Sequence, residues 1–199
     1  LIYLGVFRAR QYRAAFVAQN CLFASFMGIT LIVPLFIENI WGGTALEAGL
    51  VLLPGTIAAL FINPLAGYLT DRFHARPVIV FFGACLAFGS VAMAFMDAST
   101  PFWLILLLQG IRACGVSGLV SPLTSWSMEE LAPNRMTDAS SFSTAIRQAI
   151  ASMGTALMVF SITLGAQAFG SLLFGFQLAL GLSGVFALAL FVIALVRVR

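Results

Sequence analysis

The chain has 199 residues, of which 61% are hydrophobic and only 9% are charged. Its mean hydropathy of +1.06 lies far above the range of soluble domains, which excludes a soluble enzyme or binding module. The formal net charge of +3 does not predict binding to nucleic acid, because the ten arginines, in a chain without lysine, are divided among separate segments.

Six apolar runs are each long enough to cross a hydrocarbon core of about 30 Å, which takes roughly 20 residues of α-helix. In chain order, we predict membrane spans at residues 14–37, 48–70, 77–96, 102–125, 139–164 and 172–196. The sequence therefore predicts an all-α integral membrane protein with six transmembrane helices in a lipid bilayer.

Most of the arginines lie in or beside alternate gaps between these spans. The eight arginines of these gaps are Arg8, Arg10, Arg13, Arg72, Arg76, Arg135, Arg197 and Arg199. Because loops rich in arginine remain in the cytoplasm, both termini of this segment are predicted to be cytoplasmic. Trp41 and Trp103 at predicted outer boundaries, and Trp126 at an inner one, agree with this orientation.

Polar residues are distributed unequally among the six spans. The third and sixth spans are almost purely apolar and are predicted to face lipid. The other four carry the residues predicted to line a polar cavity or pathway, which are Gln19, Asn20, Asn63, Gln109, Arg112, Arg147 and Gln148. Two triplets that each end in an apolar helix predict the three-plus-three inverted repeat of secondary transporters.

The fifth span has one polar side. Helical steps from Arg147 give Ser140, Ser143, Thr144, Ala151, Gly154 and Ser161, and Gln148 belongs to an adjoining polar stripe. Within a membrane, such a side must face protein or water. We predict a water-filled or partner-lined cavity, with helix packing as the alternative, because small and hydroxyl residues also hold helices together.

Arg112 is the residue that we expect to be most important in this segment. It follows residue 102 by about 15 Å of helix, which places it near the membrane midplane, and Gln109 lies one turn earlier. Such an arginine could pair with a carboxylate, bind an anionic substrate or hold helices together. For Arg147, about 12 Å from residue 139, we favour a structural or gating role.

Each of the seven carboxylates is predicted to lie at a membrane edge. Glu38, Glu47 and Asp97 fall at the outer edge, and Asp71, Glu129, Glu130 and Asp138 fall at the inner edge. A proton-coupled carrier needs a titratable group in its pathway. If the protein is such a carrier, its proton-carrying acid is therefore expected outside this segment.

The strongest local motif is the turn GYLTDRFHARP, which runs from Gly67 to Pro77. It resembles the G-x-L-x-D-R-x-G-R-R signature of the major facilitator superfamily. His74 stands where the signature has glycine, and Ala75 replaces one basic residue. The resemblance implies that Gly67, Asp71, Arg72 and Arg76 form a gating loop.

Further segments resemble the C-terminal half of fourteen-helix drug:proton antiporters of that superfamily. These are GLVLLPG at 49–55, QGIRACG at 109–115, SPLT at 121–124, PNR at 133–135, ASS at 139–141, RQ at 147–148 and GTA at 154–156. The resemblance implies one half of the major facilitator fold. Residues 1–13 would be a cytoplasmic linker from a missing N-terminal half, and residues 14–199 the six-helix C-terminal half.

The activity that this resemblance implies is proton-driven export of drugs or other amphiphilic small molecules across the bacterial cytoplasmic membrane. It implies no cofactor and no metal. The expected partners are substrate, protons, the bilayer and the missing half of the same chain. Two alternatives share most of these features: a twelve-helix permease for another solute, and a six-helix membrane protein that does not transport.

An intramembrane protease is an alternative, because Gly115-Val-Ser117-Gly118 matches the nucleophile pattern of rhomboid proteases. A serine nucleophile needs a base within hydrogen-bond reach. The one histidine of the chain, His74, lies in a predicted cytoplasmic loop, and Gly181-Leu-Ser183-Gly184 repeats the same pattern. We therefore do not predict an enzyme.

Overall fold

The computed structural model describes the backbone of residues 10–128 and 133–197 and the side chains of residues 12–127 and 140–196. The α-helices in these ranges are α1 (Arg10–Phe36), α2 (Ala45–Leu50), α3 (Leu53–Phe73), α4 (Ala75–Met93), α5 (Phe102–Met128), α6 (Pro133–Ala168) and α7 (Leu172–Arg197). Six stretches are long and apolar enough to cross a membrane: Tyr12–Trp41, Ala45–Phe73, Ala75–Met93, Phe102–Ser127, Ser140–Ala168 and Leu172–Val196. The six predicted spans and the all-α fold are confirmed.

The connection between the first two spans differs from the prediction. A π-helical turn, Ile37–Trp41, extends α1 and ends at Gly42, whose φ of +77° suits glycine. The short helix α2 then begins with a capping box, in which the side chains of Thr44 and Glu47 each accept a hydrogen bond from the other residue's backbone N–H. The predicted second span is therefore two helices, with Pro54 in the first turn of α3, where proline is tolerated because that N–H has no partner within the helix.

One end of the bundle, named here the Trp41 end, brings together three connections. Trp41 Nε1 donates a hydrogen bond to the carbonyl of Thr100 at 3.0 Å. Gln177 Nε2, near the start of α7, donates to the carbonyl of Met96 at 3.1 Å. The Asp97 carboxylate accepts hydrogen bonds from Ser99, which hold the pKa of Asp97 below its usual value.

The opposite end, named here the Arg72 end, contains the turn between α3 and α4 and the beginnings of α1 and α6. The rings of Phe16 and Phe142 stack there with centroids 6.3 Å apart. Arg13, Arg72 and Arg76 are exposed at this end. The described arginines of the predicted cytoplasmic gaps thus share one end of the bundle, while the side of the membrane that this end faces stays a prediction.

The packing of the helices has an internal symmetry. Helix α1 packs against α6 and α7, just as α5 packs against α3 and α4. In addition, α1 contacts α5, and α4 contacts α7. Exchanging the triplet α1, α3, α4 with the triplet α5, α6, α7 leaves these contacts unchanged, as a three-plus-three repeat requires, although α6 packs far more extensively on α7 than α3 does on α4.

Helices α4 and α5 approach each other closely because glycine lies between them. A Cβ atom added to Gly115 would lie only 2.5 Å from the backbone nitrogen of Leu86, so the two backbones are in direct contact there. One turn farther along α5, Gly118 provides the space for the Phe82 ring. Contacts through small residues are how helices pack in a membrane, where no hydrophobic force drives them together.

Helices α1 and α7 are joined by a polar contact in the buried interior. The hydroxyls of Ser25 and Ser183 are 2.7 Å apart, and both side chains are fully buried. One hydroxyl donates to the other, and the carbonyl of Ser25 lies 3.5 Å from Ser183 Oγ as a further acceptor, so the pair is satisfied without water.

The helices differ in how much of their surface is covered. The second and fifth spans, which contain α3 and α6, are the least covered, with 11% and 22% of their most apolar stretches buried. Helix α4 does expose Phe81 and Phe88, and Phe95 just after its end is also exposed, in agreement with the predicted lipid contact. However, α4 and α7 also pack against each other. The third and sixth spans, which were predicted to face lipid, are 50% and 39% buried and are therefore more covered than the second and fifth.

The turn between α3 and α4 places His74 in an unfavourable conformation. Its φ of 69° and ψ of 161° lie in a region that is almost restricted to glycine. This is the position at which the superfamily signature has glycine. The imidazole side chain is exposed, so contacts with the protein interior do not offset the strain.

We predict that His74→Gly stabilises the protein by about 1 kcal/mol, because glycine adopts this conformation without a steric penalty. Thermal unfolding of the purified protein in detergent measures the change. His74→Ala is the control, since it removes the imidazole but keeps Cβ. Equal melting temperatures for the two variants would contradict the proposed strain.

Candidate functional site

A cavity of about 390 Å³ lies among α1, α3 and α5. This volume is within the range of sites for drug-sized molecules. The lining is mainly apolar, and Phe23 and Phe26 contribute aromatic rings. The polar residues in its wall are Thr30, Thr56, Asn63, Gln109, Arg112, Ser117 and Ser121. The structure thus brings together three of the residues predicted for the pathway, namely Asn63, Gln109 and Arg112.

Arg112 is the one charged residue in the described lining of this cavity, and its side chain is only 1% exposed. Its Nε and Nη1 atoms are buried and have no hydrogen-bond partner among the described residues. The Oε1 atom of Gln109, one turn away, is also buried and unpartnered. A buried guanidinium without a partner is energetically unfavourable, so these groups require a partner that the described residues do not supply.

The described carboxylates lie far from this guanidinium along the chain. They are Glu38, Glu47, Asp71 and Asp97, and each lies at or beyond the end of a span, as predicted. No ion pair to Arg112 is found among the residues that the structure describes. The charge within the cavity wall is therefore positive.

The position of Arg112 is determined by contact with α4. A Cβ atom added to Gly89 would lie 2.8 Å from Cβ of Arg112 and 3.0 Å from its backbone nitrogen. Because Gly89 has no side chain, the first part of the Arg112 side chain lies directly against the α4 backbone. This contact fixes the depth at which the guanidinium meets the cavity.

Gln19 and Asn20 were also predicted for the pathway, but they do not line this cavity. Gln19 Nε2 donates a hydrogen bond to the carbonyl of Leu123 at 3.1 Å, and its Oε1 accepts one from Ser143 at 3.5 Å. Gln19 therefore connects α1 with α5 and α6 near the Arg72 end. Asn20 donates to the carbonyl of Phe16 in its own helix, at 2.9 Å.

Arg147 contacts the aromatic wall of the cavity from α6. Its guanidinium carbon lies 4.4 Å from the centre of the Phe23 ring, within the range of a cation–π interaction. Nη2 also donates a hydrogen bond of 3.4 Å to Thr144 Oγ1. Arg147 is thus held against a residue of the cavity wall, and the structural or gating role expected for it stays a prediction.

Gln148 lies in a separate, more open groove of about 680 Å³ along α6, to which Met27 contributes from α1. Ser152 and Thr155 of the predicted polar stripe also line it. Their hydroxyls donate hydrogen bonds of 3.0 Å to the carbonyls of Gln148 and Ala151 in the same helix. These two hydroxyls therefore do not hydrogen-bond α6 to another helix. On the adjoining side of α6, Ser143 does bond to Gln19 and Gly154 lies against Ala24 of α1, as the packing alternative expects.

The predicted gating loop lies at the Arg72 end, outside the cavity. Arg72 Nη1 donates a hydrogen bond of 3.0 Å to the hydroxyl of Tyr68, and Asp71 and Arg76 are exposed. Gly67 faces α5, since a Cβ atom added there would lie 3.8 Å from Ser121 Oγ. The structure thus connects this turn to the cavity through the contact between Gly67 and Ser121.

Two aromatic residues of the site were not predicted. Phe23 and Phe26 are ordinary members of an apolar span, and nothing in hydropathy separates a ring that lines a cavity from one that faces lipid. The spacing of three residues, which puts both rings on one side of α1, was the available signal. Among the described side chains, no group of three His, Cys, Asp or Glu residues could hold a metal ion.

The described part of the chain has six helices able to span a membrane, arranged in two triplets with a cavity between them. This arrangement defines a multi-pass membrane protein built like half of a secondary transporter. Residues 15–199 match the Major Facilitator Superfamily, and the chain belongs to that family. This membership agrees with the resemblance of the GYLTDRFHARP turn.

Comparison with individual proteins gives the same result. The chain is 33% identical over 127 residues to the uncharacterised MFS-type transporter YhcA of Bacillus subtilis, covering 64% of this chain and 24% of that protein. It is 28% identical over 155 residues to the multidrug resistance protein Stp of Mycobacterium tuberculosis, covering 78% of this chain and 29% of Stp. The chain thus spans less than a third of these relatives, which are transport and resistance proteins rather than enzymes.

A solved structure has the same fold. The crystal structure of an autoinhibited peptide transporter of the POT family superposes with a TM-score of 0.72 at 22% sequence identity. The match covers 95% of this chain and 38% of that transporter. The chain therefore has the fold of part of that larger transporter structure.

We predict that Gly89→Ala destabilises the protein by about 1–3 kcal/mol, because the added methyl group would force α4 away from Arg112. Thermal unfolding in detergent measures the loss. Gly181→Ala in α7 is the matched control, since its new Cβ would lie 4.0 Å from Ala94 Cβ, an ordinary contact. The prediction is wrong if both variants unfold at the temperature of the parent protein.

Proposed function

We propose that this segment is the C-terminal half of a fourteen-helix drug:proton antiporter of a bacterial cytoplasmic membrane. It would export drugs or other amphiphilic small molecules by alternating access. The similarity to a multidrug resistance protein supports this proposal, as do the segments that resemble the antiporter family. In this arrangement, the exposed Arg13, Arg72 and Arg76 face the cytoplasm.

The observation that carries the proposal is the chemistry of the cavity. An apolar wall with two phenylalanine rings suits the body of an amphiphile, and Arg112 and Gln109 offer unpartnered polar atoms for its polar group. The described carboxylates lie only at the ends of the spans. We therefore assign the proton-carrying acid to a part of the protein outside this segment.

The uncovered helices suggest where the other half of the transporter would lie. Helix α3 lines the cavity and leaves apolar residues such as Ile57, Leu60 and Phe61 exposed. A second six-helix half placed against α3 and α6 would close the cavity from the open side. Rocking of the two halves about this site would alternate its access, and the turn containing Arg72 would stabilise one of the closed states.

We predict that Arg112→Ala in the native gene product abolishes transport, because the variant lacks the one charged group of the described cavity wall. Everted membrane vesicles with an imposed proton gradient are tested with three fluorescent amphiphiles: anionic anilinonaphthalene sulfonate, neutral phenylnaphthylamine and cationic ethidium. At least one is expected to be transported by the parent protein. For that probe, Arg112→Ala should lower the rate at least about tenfold, equivalent to about 1.4 kcal/mol.

Arg13→Ala is the control for this experiment, since Arg13 is exposed at the Arg72 end and does not line the cavity. It should transport at the parent rate, and both variants should insert into the membrane at parental levels. Normal transport by Arg112→Ala would overturn the site assignment. Absence of gradient-driven transport of all three probes by the parent protein would overturn the proposed function.

We also predict that the native gene product contains eight more membrane spans than the six described here. An immunoblot of source membranes, together with sequencing of the gene upstream of the codon for Leu1, measures the length of the chain. Six additional spans would instead support a twelve-helix permease. A native product that ends near Leu1 would support the alternative of a membrane protein that does not transport.

A further inference from the structure

We propose that the cavity among α1, α3 and α5 selects organic anions, with Arg112 as the group that binds the anionic moiety. The substrate class is a carboxylate or sulfonate attached to an apolar, aromatic body. This inference rests on the proposed transport function and adds the sign of the substrate's charge to it.

The electrostatics of the site favour an anion. Arg112 lines the cavity, and Arg147 stacks on the Phe23 ring of its wall. No carboxylate lies among the residues that line it. A cation next to these side chains would meet positive charge that no described residue of the lining compensates, whereas an anion would be attracted to it.

The environment of Arg112 makes this preference strong. With a side chain that is 1% exposed, its guanidinium is almost fully desolvated, and two of its three nitrogens lack a partner among the described residues. A charged residue within a membrane normally pairs with an opposite charge. A carboxylate or sulfonate can accept two parallel N–H···O hydrogen bonds from one guanidinium, so an organic anion supplies the missing partner.

The remaining lining indicates what else the ligand carries. Phe23 and Phe26 present aromatic rings near Arg112, and Leu52, Val116 and Val120 are aliphatic. A site of about 390 Å³ with one cation and an apolar wall matches a drug-sized molecule that has one anionic group. Inorganic anions would leave this wall in contact with water and gain nothing from it.

Binding to the native gene product in nanodiscs of zwitterionic lipid tests this inference. Anilinonaphthalene sulfonate and phenylnaphthylamine share one aromatic scaffold, and the first of them adds a sulfonate. Fluorescence titration, corrected with empty nanodiscs, gives the Kd of each probe. The parent protein is expected to bind the sulfonate at least about tenfold more tightly than the neutral probe, a difference of about 1.4 kcal/mol.

The variants locate this selectivity. Arg112→Gln should weaken binding of the sulfonate at least about tenfold, with little change for the neutral probe. Arg112→Lys should retain part of the preference, because it keeps the charge but loses the bidentate geometry. Arg13→Gln removes the same charge at an exposed position and should bind both probes as the parent does. Size-exclusion chromatography establishes that each variant is folded.

Several results would overturn the inference. One is equal affinity of the parent protein for the two probes, a comparison that needs no variant. Another is unchanged sulfonate binding in Arg112→Gln, which would indicate that Arg112 pairs with a carboxylate from elsewhere in the protein. Either result, together with gradient-driven transport of any probe, would remove the anion preference and leave the proposed function standing.

Discussion

Contact between the backbones of α4 and α5 is the constraint on which the cavity depends. Lipid tails are as apolar as the helices, so no hydrophobic force selects this pair, and close packing must hold it together. Gly89 and Gly115 permit that packing, because a Cβ atom at either position would overlap the neighbouring helix. Since α5 carries Arg112 and also packs against α1 and α3, the same contact positions one wall of the cavity.

The cavity is distinguished less by its polar residues than by which of them lack partners. Most hydroxyls within the described spans are satisfied locally; Thr30 and Thr124, for example, donate to the carbonyls of Phe26 and Val120 in their own helices. Arg112 cannot be satisfied in this way, because a helix offers few free carbonyls to a group with five donors. Local hydrogen bonding therefore reduces the polar residues to a few with unpartnered buried atoms, which are Asn20, Ser90, Gln109 and Arg112 among the described residues. Arg112 is the charged group among them.

The six spans could be predicted because a membrane demands about 20 consecutive apolar residues, a requirement that a single sequence displays. Counting residues along the fourth span likewise predicts that Arg112 lies near the membrane midplane. In contrast, the start of the separate helix α2 depends on local capping by Thr44 and Glu47, which leaves the average hydropathy unchanged. Gln19 illustrates a second limit, since its role as a connection to Leu123 depends on which helices are neighbours, and hydropathy carries no information about neighbours.

The hydrogen bond between Ser25 and Ser183 has a mechanical consequence. Sliding of α1 along α7 would separate two hydroxyls in a region where no water can replace the lost partner. These helices are thus coupled in register and would move as one body, as would α4 and α5 through their glycine contacts. Helix α3 packs mainly on α5 and begins after the helical interruption at residues 51–52. Few contacts therefore oppose bending of α3. Shape changes of this segment would therefore be concentrated in the cavity wall that α3 forms, while the α1–α7 and α4–α5 pairs keep their arrangement.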